Sequence, residues 1–160
     1  PCGYFGHPTH PCLCHPHAVE RYLGKVSGPL LDRIDLHIEV PAVPFEELSS
    51  TKQEEPSAAI RERVNAARER QRQRFEGKPY HCNADIPAGE LQEMCPATQA
   101  ASQLLQRAFD RFGFSARTYG RVVKVARTIA DLDGSDQIDT SHVAEAVQYR
   151  TLDRKYWLKK

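Results

Sequence analysis

From residue 57 onward, apolar positions recur every three or four residues, which is the spacing of one face of a helix. The clearest case is TQAASQLLQRAFDRFG (98–113), where six apolar side chains form a wide face. Gly113 comes at its end and suits the left-handed conformation that terminates a helix. The same spacing predicts helices in 57–76, 115–134 and 139–150, with a short one after Pro87. A small helical bundle is therefore expected, and the fold class is mainly α.

Capping residues support the last two of these helices. Ser115 is a natural N-cap, Gly134 a natural end, and Asp139 or Thr140 begins the final helix. The residues predicted to face the core are Val122, Val125, Ile129 and Leu132, followed by Val143, Ala146 and Val147.

The first 56 residues follow a different pattern. In 34–40, Leu36, Ile38 and Val40 alternate with polar residues, which predicts a half-buried strand. Residues 1–18 show no periodicity and are predicted to form a loop, while 19–28 suit a short helix or turn. Residues 41–56 are rich in Pro, Ser and Glu and are predicted to be a linker.

Charge and composition change this picture only slightly. Of 160 residues, 40% are hydrophobic and 27% charged, a globular composition with no apolar run as long as a membrane span. Residues 1–56 carry four Lys/Arg and eight Asp/Glu, and 57–160 carry eighteen and thirteen, so two segments with different roles are expected. The chain begins at Pro1 without a methionine, and we expect it to be a fragment.

The long helix at 57–76 has an arginine-rich surface. Its predicted apolar stripe is Ile60, Val64, Ala67, Gln71 and Phe75. Three arginines flank each side of that stripe: Arg61, Arg68 and Arg72 on one, and Arg63, Arg70 and Arg74 on the other. Arginine stems can cover apolar surface while their charged ends stay hydrated, so a solvated helix docked by one face is favoured over a phosphate-binding surface.

The N-terminal loop concentrates groups that bind metals. Cys2, Cys12 and Cys14 lie among four histidines, and thiolates with imidazoles suit tetrahedral zinc. His10 or His15 is the candidate fourth ligand, unless it comes from a residue upstream of Pro1. A cysteine-rich loop without metal is an equally open interpretation. Cys82 and Cys95 are expected to be ordinary buried thiols.

Two arginine positions suggest anion chemistry. Arg33 stands between Asp32 and Asp35 at the entrance to the predicted strand. It is either held by those carboxylates or directed at an anionic ligand of a neighbouring subunit. Arg117, with Arg121 one turn later, lies at a helix N-terminus, where phosphate binding and a surface salt bridge are the alternatives.

Together, PCGYFGHP…PCLC, YLGKVSGPLLDRIDLHIEVP, FSARTYGRVVKVARTIADLDG and HVAEAVQYR closely resemble the C-terminal part of magnesium-chelatase-I-like AAA+ ATPases, in particular the competence-type branch. The resemblance covers most of the chain and is weakest at 41–56 and 77–88. It implies that 1–40 are the end of the AAA+ core, with its last core strand, and that 57–160 are the helical lid domain. Residues 1–50 are expected to be poorly ordered in isolation.

The resemblance also implies roles for single residues. Arg33 matches the arginine finger that acts in trans, with Asp32 and Asp35 holding it in place, and Arg117 matches the sensor-2 arginine. Arg121 is the less certain sensor-2 candidate. The cysteine motif matches a four-cysteine cluster of the family, of which three members are present in this sequence.

For the parent protein, the resemblance implies a cytoplasmic hexamer of identical subunits that binds ATP and Mg²⁺ and drives branch migration of DNA, with no membrane partner. The segments that bind and hydrolyse ATP, Walker A and Walker B, are absent from this sequence, so it is expected to be inactive alone. The alternatives are a stand-alone DNA-binding module with a zinc loop, a protein-interaction adaptor, and a magnesium chelatase subunit that powers metal insertion into a porphyrin.

Overall fold

The computed structural model describes residues 1–41, 43–45, 49 and 54–150. Parts of the predicted linker (42, 46–48 and 50–53) and the end of the predicted helical domain (151–160) lie outside the described residues. Seven α-helices occur in the described part of the chain: α1 (Pro16–Leu23), α2 (Gly28–Leu31), α3 (Ser57–Arg74), α4 (Leu91–Met94), α5 (Gln99–Phe112), α6 (Ala116–Leu132) and α7 (Thr140–Gln148). Two 3₁₀ turns, Asn83–Asp85 and Ala88–Glu90, precede α4.

The predicted fold class is confirmed, because the described chain is mainly helical. Helix α6 lies at the centre and contacts α3, α4, α7 and the first 3₁₀ turn, while α5 packs against α7. None of the described helices combines the length and apolar character that crossing a lipid bilayer requires.

Local signals place the helix ends where the sequence predicts them. The Ser115 hydroxyl accepts a hydrogen bond from the Thr118 N–H, and the Asp139 carboxylate accepts one from the Thr140 N–H. Gly113 follows α5 with φ 60° and ψ 42°, the left-handed conformation that a side chain disfavours. These ends are determined by short-range contacts, so the sequence alone was sufficient to find them.

The hydrophobic core lies between α4, α5, α6 and α7. Its centre on α6 is Val122, Val123, Ala126 and Ala130, with Ile86, Leu91, Leu105, Ile138 and Val143 around them. The predicted face of α6 is therefore rotated: Val125 and Ile129 are only half-buried and Leu132 is exposed. Helix α6 has neighbours on several sides, so its own pattern does not single out one buried stripe.

The stripe predicted on α3 is buried only in its second half. Ala67, Gln71 and Phe75 are buried, whereas Ile60 and Val64 are exposed. This agrees with a helix that docks on α6 through its C-terminal turns.

The predicted strand at 34–40 is wrong for the described chain. No strand occurs among the described residues, whose one isolated bridge joins Ala97 and Ile138. Ile38 and Val40 are 66% and 82% exposed, so the alternation corresponds to no buried face here. A strand needs a neighbouring strand to complete its hydrogen bonds, and the described residues supply none. The predicted disorder of 1–50 stays a prediction.

Candidate functional site

Arg33 follows α2 and its side chain is exposed. Its guanidinium donates one hydrogen bond, from Nη1 to the Pro29 carbonyl at 3.3 Å. Within the described residues, no carboxylate pairs with it. The cation is therefore accessible to a ligand from outside the chain.

The flanking carboxylates do not hold Arg33, which corrects the expectation for them. Asp32 accepts hydrogen bonds from the Ser115 hydroxyl at 3.4 Å and the Thr118 hydroxyl at 3.3 Å. Asp35 forms an ion pair with Arg121. Both carboxylates thus face the beginning of α6, because hydroxyl donors and a second guanidinium are grouped there.

A buried arginine completes this junction. Arg150, just after α7, donates from Nη1 to the Leu31 carbonyl at 3.3 Å and also to the Ile34 carbonyl. Its Nη2 donates to the Thr118 hydroxyl at 3.4 Å and lies 3.8 Å from an Asp32 oxygen. The His37 N–H donates to the Tyr149 carbonyl at 2.9 Å, so the segment 31–37 is joined to the end of α7 as well as to α6. Arg150 is not predicted from the sequence, since nothing in its local pattern distinguishes it from a surface arginine.

The two predicted sensor-2 residues are in different situations. Arg117, in the first turn of α6, is exposed and makes no hydrogen bond or ion pair within the described part of the chain. Arg121 is partly buried against Asp35. A helix N-terminus attracts anions, so Arg117 adds a free cation at a favourable position, whereas Arg121 is already neutralised.

The three N-terminal thiols lie close together. The sulfurs of Cys2, Cys12 and Cys14 all lie within 4.8 Å of one another, and those of Cys2 and Cys12 are 3.6 Å apart. Sulfurs in a tetrahedral zinc site with Zn–S bonds of about 2.3 Å are separated by about 3.8 Å, close to this distance. The Tyr4 N–H donates to the Cys2 sulfur at 3.4 Å. This hydrogen bond and one with Cys14 lower the pKa of Cys2 to about 7, which favours the thiolate that binds metal.

The predicted histidine ligands are not part of this cluster. The His10 ring stacks on Tyr4 with centroids 5.1 Å apart, and His15 accepts a hydrogen bond from the His17 N–H at the start of α1. Neither ring therefore supplies the fourth donor in this arrangement. Cys95 is buried as predicted, and burial raises the pKa of its thiol to about 11, while Cys82 is only half-buried.

One flank of α3 is occupied by internal ion pairs. Arg63 pairs with Glu55 at 2.7 Å, Arg70 with Asp136 at 2.9 Å, and Arg74 with the buried Asp131. On the other flank, Arg72 pairs with Glu69 at 3.2 Å. These contacts favour a structural role for the arginines over a phosphate-binding surface.

With this geometry in place, comparison with known proteins assigns the family. A family model described as magnesium chelatase, subunit ChlI C-terminal, matches residues 54–150, and one described as magnesium chelatase, subunit ChlI, matches residues 1–48. The chain belongs to this magnesium chelatase family. The family is of the AAA+ ATPase kind, as the sequence resemblance implied.

The relatives include one competence protein and several uncharacterized proteins. Competence protein ComM of Haemophilus influenzae is 43% identical over 140 residues, which are 87% of this chain and 27% of the relative. The uncharacterized protein YifB of Escherichia coli is 43% identical over 142 residues, 88% of this chain and 27% of the relative. An uncharacterized protein of Mycobacterium tuberculosis is 34% identical over 150 residues, 94% of this chain and 30% of the relative. The chain thus spans less than a third of the length of these relatives.

Proposed function

We propose that this chain is the C-terminal part of an oligomeric AAA+ ATPase and supplies two arginines to ATP hydrolysis. Arg33 is the arginine finger, which acts on ATP bound by the next identical subunit of a hexamer. Arg117 is the sensor-2 residue, which contacts the nucleotide. The observation that supports this is the accessibility of both guanidinium groups while the nearby carboxylates, Asp32 and Asp35, are engaged elsewhere.

The chemistry of phosphoryl transfer explains why free arginines are required. Negative charge on the transferring group is spread over its oxygens in the transition state, and a guanidinium stabilises it through paired N–H donors. An arginine already neutralised by a carboxylate has less to contribute. Arg121 would have to exchange Asp35 for phosphate, so it has the secondary role.

The finger assignment can be tested by mixing subunits of the full-length protein. One variant carries Arg33→Ala and the other a disabled P-loop lysine. Each alone should lose roughly 10³-fold or more in turnover, and mixing should restore part of it, because an intact finger then meets an intact nucleotide site. Arg107→Ala, at an exposed arginine on α5, is the matched control and should retain full turnover. Assembly without restored turnover would refute an action in trans.

The substrate of the motor is proposed to be DNA. A relative bears the name competence protein, and the family resemblance points to branch migration in the cytoplasm. Five free thiols are compatible with that reducing compartment. DNA should stimulate the ATPase of the full-length protein, whereas stimulation by a porphyrin would favour the chelatase alternative.

The stand-alone DNA-binding alternative has less support, because Arg63, Arg70 and Arg74 are engaged in ion pairs within the chain. It requires the 160-residue chain alone to bind DNA with an affinity that falls steeply with salt. We expect weak binding by the chain alone.

A structural zinc ion is proposed for Cys2, Cys12 and Cys14, supported by the sulfur spacing. Three thiolates would anchor the loop that precedes α1, and a fourth ligand would come from elsewhere. We expect cobalt substitution to produce thiolate-to-metal charge-transfer absorption, which Cys12→Ser should abolish and the control Cys82→Ser should preserve. Absence of metal after purification without chelators, together with no cobalt spectrum, would contradict the proposal.

A further inference from the structure

The turn that carries Arg33 and the helix that carries Arg117 are joined by a continuous set of polar contacts. Asp32, immediately before Arg33, binds the hydroxyls of Ser115 and Thr118, the N-cap and third residue of α6. Arg33 therefore lies next to a residue bonded to the first turn of α6.

The junction is reinforced from a second side by a buried arginine. Arg150 bonds the carbonyls of Leu31 and Ile34 and also the Thr118 hydroxyl. Thr118 and Arg150 are both buried, so these hydrogen bonds are protected from competing water. Breaking them would leave the buried Arg150 guanidinium poorly satisfied, which opposes independent movement of the two segments.

Asp35 adds an ion pair to Arg121, one turn further along the same helix. Arg33 is thus preceded and followed by carboxylates that bind α6, while its own side chain stays exposed.

We infer that Asp32 is a positioning residue for Arg33: by binding Ser115 and Thr118, it makes the finger and the sensor-2 helix move as one body. The inference rests on the proposed function. Asp32 thereby fixes the position of Arg33 relative to the first turn of α6, which carries Arg117.

The test uses Thr118→Val in the full-length protein, which removes the hydroxyl between Asp32 and Arg150 while keeping a β-branched side chain. We expect turnover to fall about 10-fold or more, because small misplacements of a catalytic group are costly, with little change in the KM for ATP. Mixing with the P-loop lysine variant should restore turnover, as it does for Arg33→Ala. Thr118→Ser should retain turnover, because it keeps the hydroxyl.

The matched control is Thr128→Val on the same helix. Its hydroxyl accepts a hydrogen bond from Asn83 at 3.0 Å and donates to the Lys124 carbonyl at 2.9 Å, away from the finger. It should lower thermal stability without lowering turnover of the assembled protein.

A second variant, Asp32→Ala, covers the case in which Thr118→Val does not assemble. Its turnover should fall as in Thr118→Val and should be restored by mixing with the P-loop lysine variant. The double variant, with both Asp32→Ala and Thr118→Val, should lose no more turnover than the more severe single variant. Wild-type turnover in an assembled single variant, or a loss that mixing does not restore, would overturn the inference. These outcomes are separable from failure of the proposed function, which Arg33→Ala alone decides.

Discussion

Asp131→Ala should destabilise the helical domain strongly. The Asp131 carboxylate is buried between two guanidinium groups: Arg127 donates from Nε at 3.2 Å, and Arg74 donates from Nη1 at 3.0 Å. The Asn83 side chain adds a third donor at 2.8 Å. This network joins α3, α6 and the first 3₁₀ turn, so its loss affects the whole packing arrangement.

The expected magnitude follows from burial. Arg127 is 0% exposed, and without Asp131 its charge would keep only the carbonyls of Ser135 and Asp136 as partners. Removing one partner of a buried ion pair costs about 3–5 kcal/mol, against a total stability of about 5–15 kcal/mol. For a domain of this size the melting temperature should fall by at least about 10 °C.

The assay is urea unfolding of the 160-residue chain followed by circular dichroism at a helical wavelength. Asp136→Ala is the matched control: its side chain is 93% exposed and pairs with Arg70 at 2.9 Å, so it should cost less than about 1 kcal/mol. If the two variants lost equal stability, or if Asp131→Ala lost less than about 1 kcal/mol, the importance assigned to the buried network would be wrong.

The same residue should contribute to acid sensitivity. Burial alone would raise the pKa of Asp131, but hydrogen bonds from Arg74 and Asn83 outweigh burial and hold it below the ordinary 3.8. Because the folded pKa is lower than the unfolded one, this stabilisation is present above pH 3.8 and is lost as the pH falls through the folded value. In Asp131→Ala, the free energy of unfolding should therefore fall less steeply as the pH is lowered into the acidic range. An unchanged dependence on acidic pH would contradict this account.

Three further predictions concern other parts of the chain. Gly113→Ala should cost about 1 kcal/mol in urea unfolding because φ is 60° there, and no loss would mean that the turn relaxes easily. In the metal-free chain, iodoacetamide at pH 7.5 should label Cys2, whose pKa is lowered to about 7, before the buried Cys95. Mass mapping of the labelled peptides measures the order, and earlier labelling of Cys95 would contradict this prediction. Tyr80 donates to Glu90 at 2.6 Å and lowers the pKa of that carboxyl below 4.5, a stabilisation present above pH 4.5 and lost on acidification. Tyr80→Phe should therefore reduce the free energy of unfolding at neutral pH, and this free energy should fall less steeply below pH 4.5. An unaltered stability profile would show that the hydrogen bond between Tyr80 and Glu90 does not contribute.

The sequence by itself determined the helical fold class and the principal helix ends. Each depends on residues close in the chain: apolar spacing predicts a helix, and Ser115 and Asp139 bond their own first turns. The family followed from longer motifs in a particular order, and the matched models agree with it.

Only the tertiary structure decided which charged groups meet. Asp32 and Asp35 bind residues more than eighty positions later in the chain, and Arg150 bonds carbonyls more than a hundred positions earlier. The local sequence around a charged residue does not show whether its side chain is solvated or buried, because tertiary packing determines which group it pairs with. A strand likewise requires a neighbouring strand to bond with. The alternation at 34–40 therefore predicts a strand for which the described chain supplies no hydrogen-bonding partner strand.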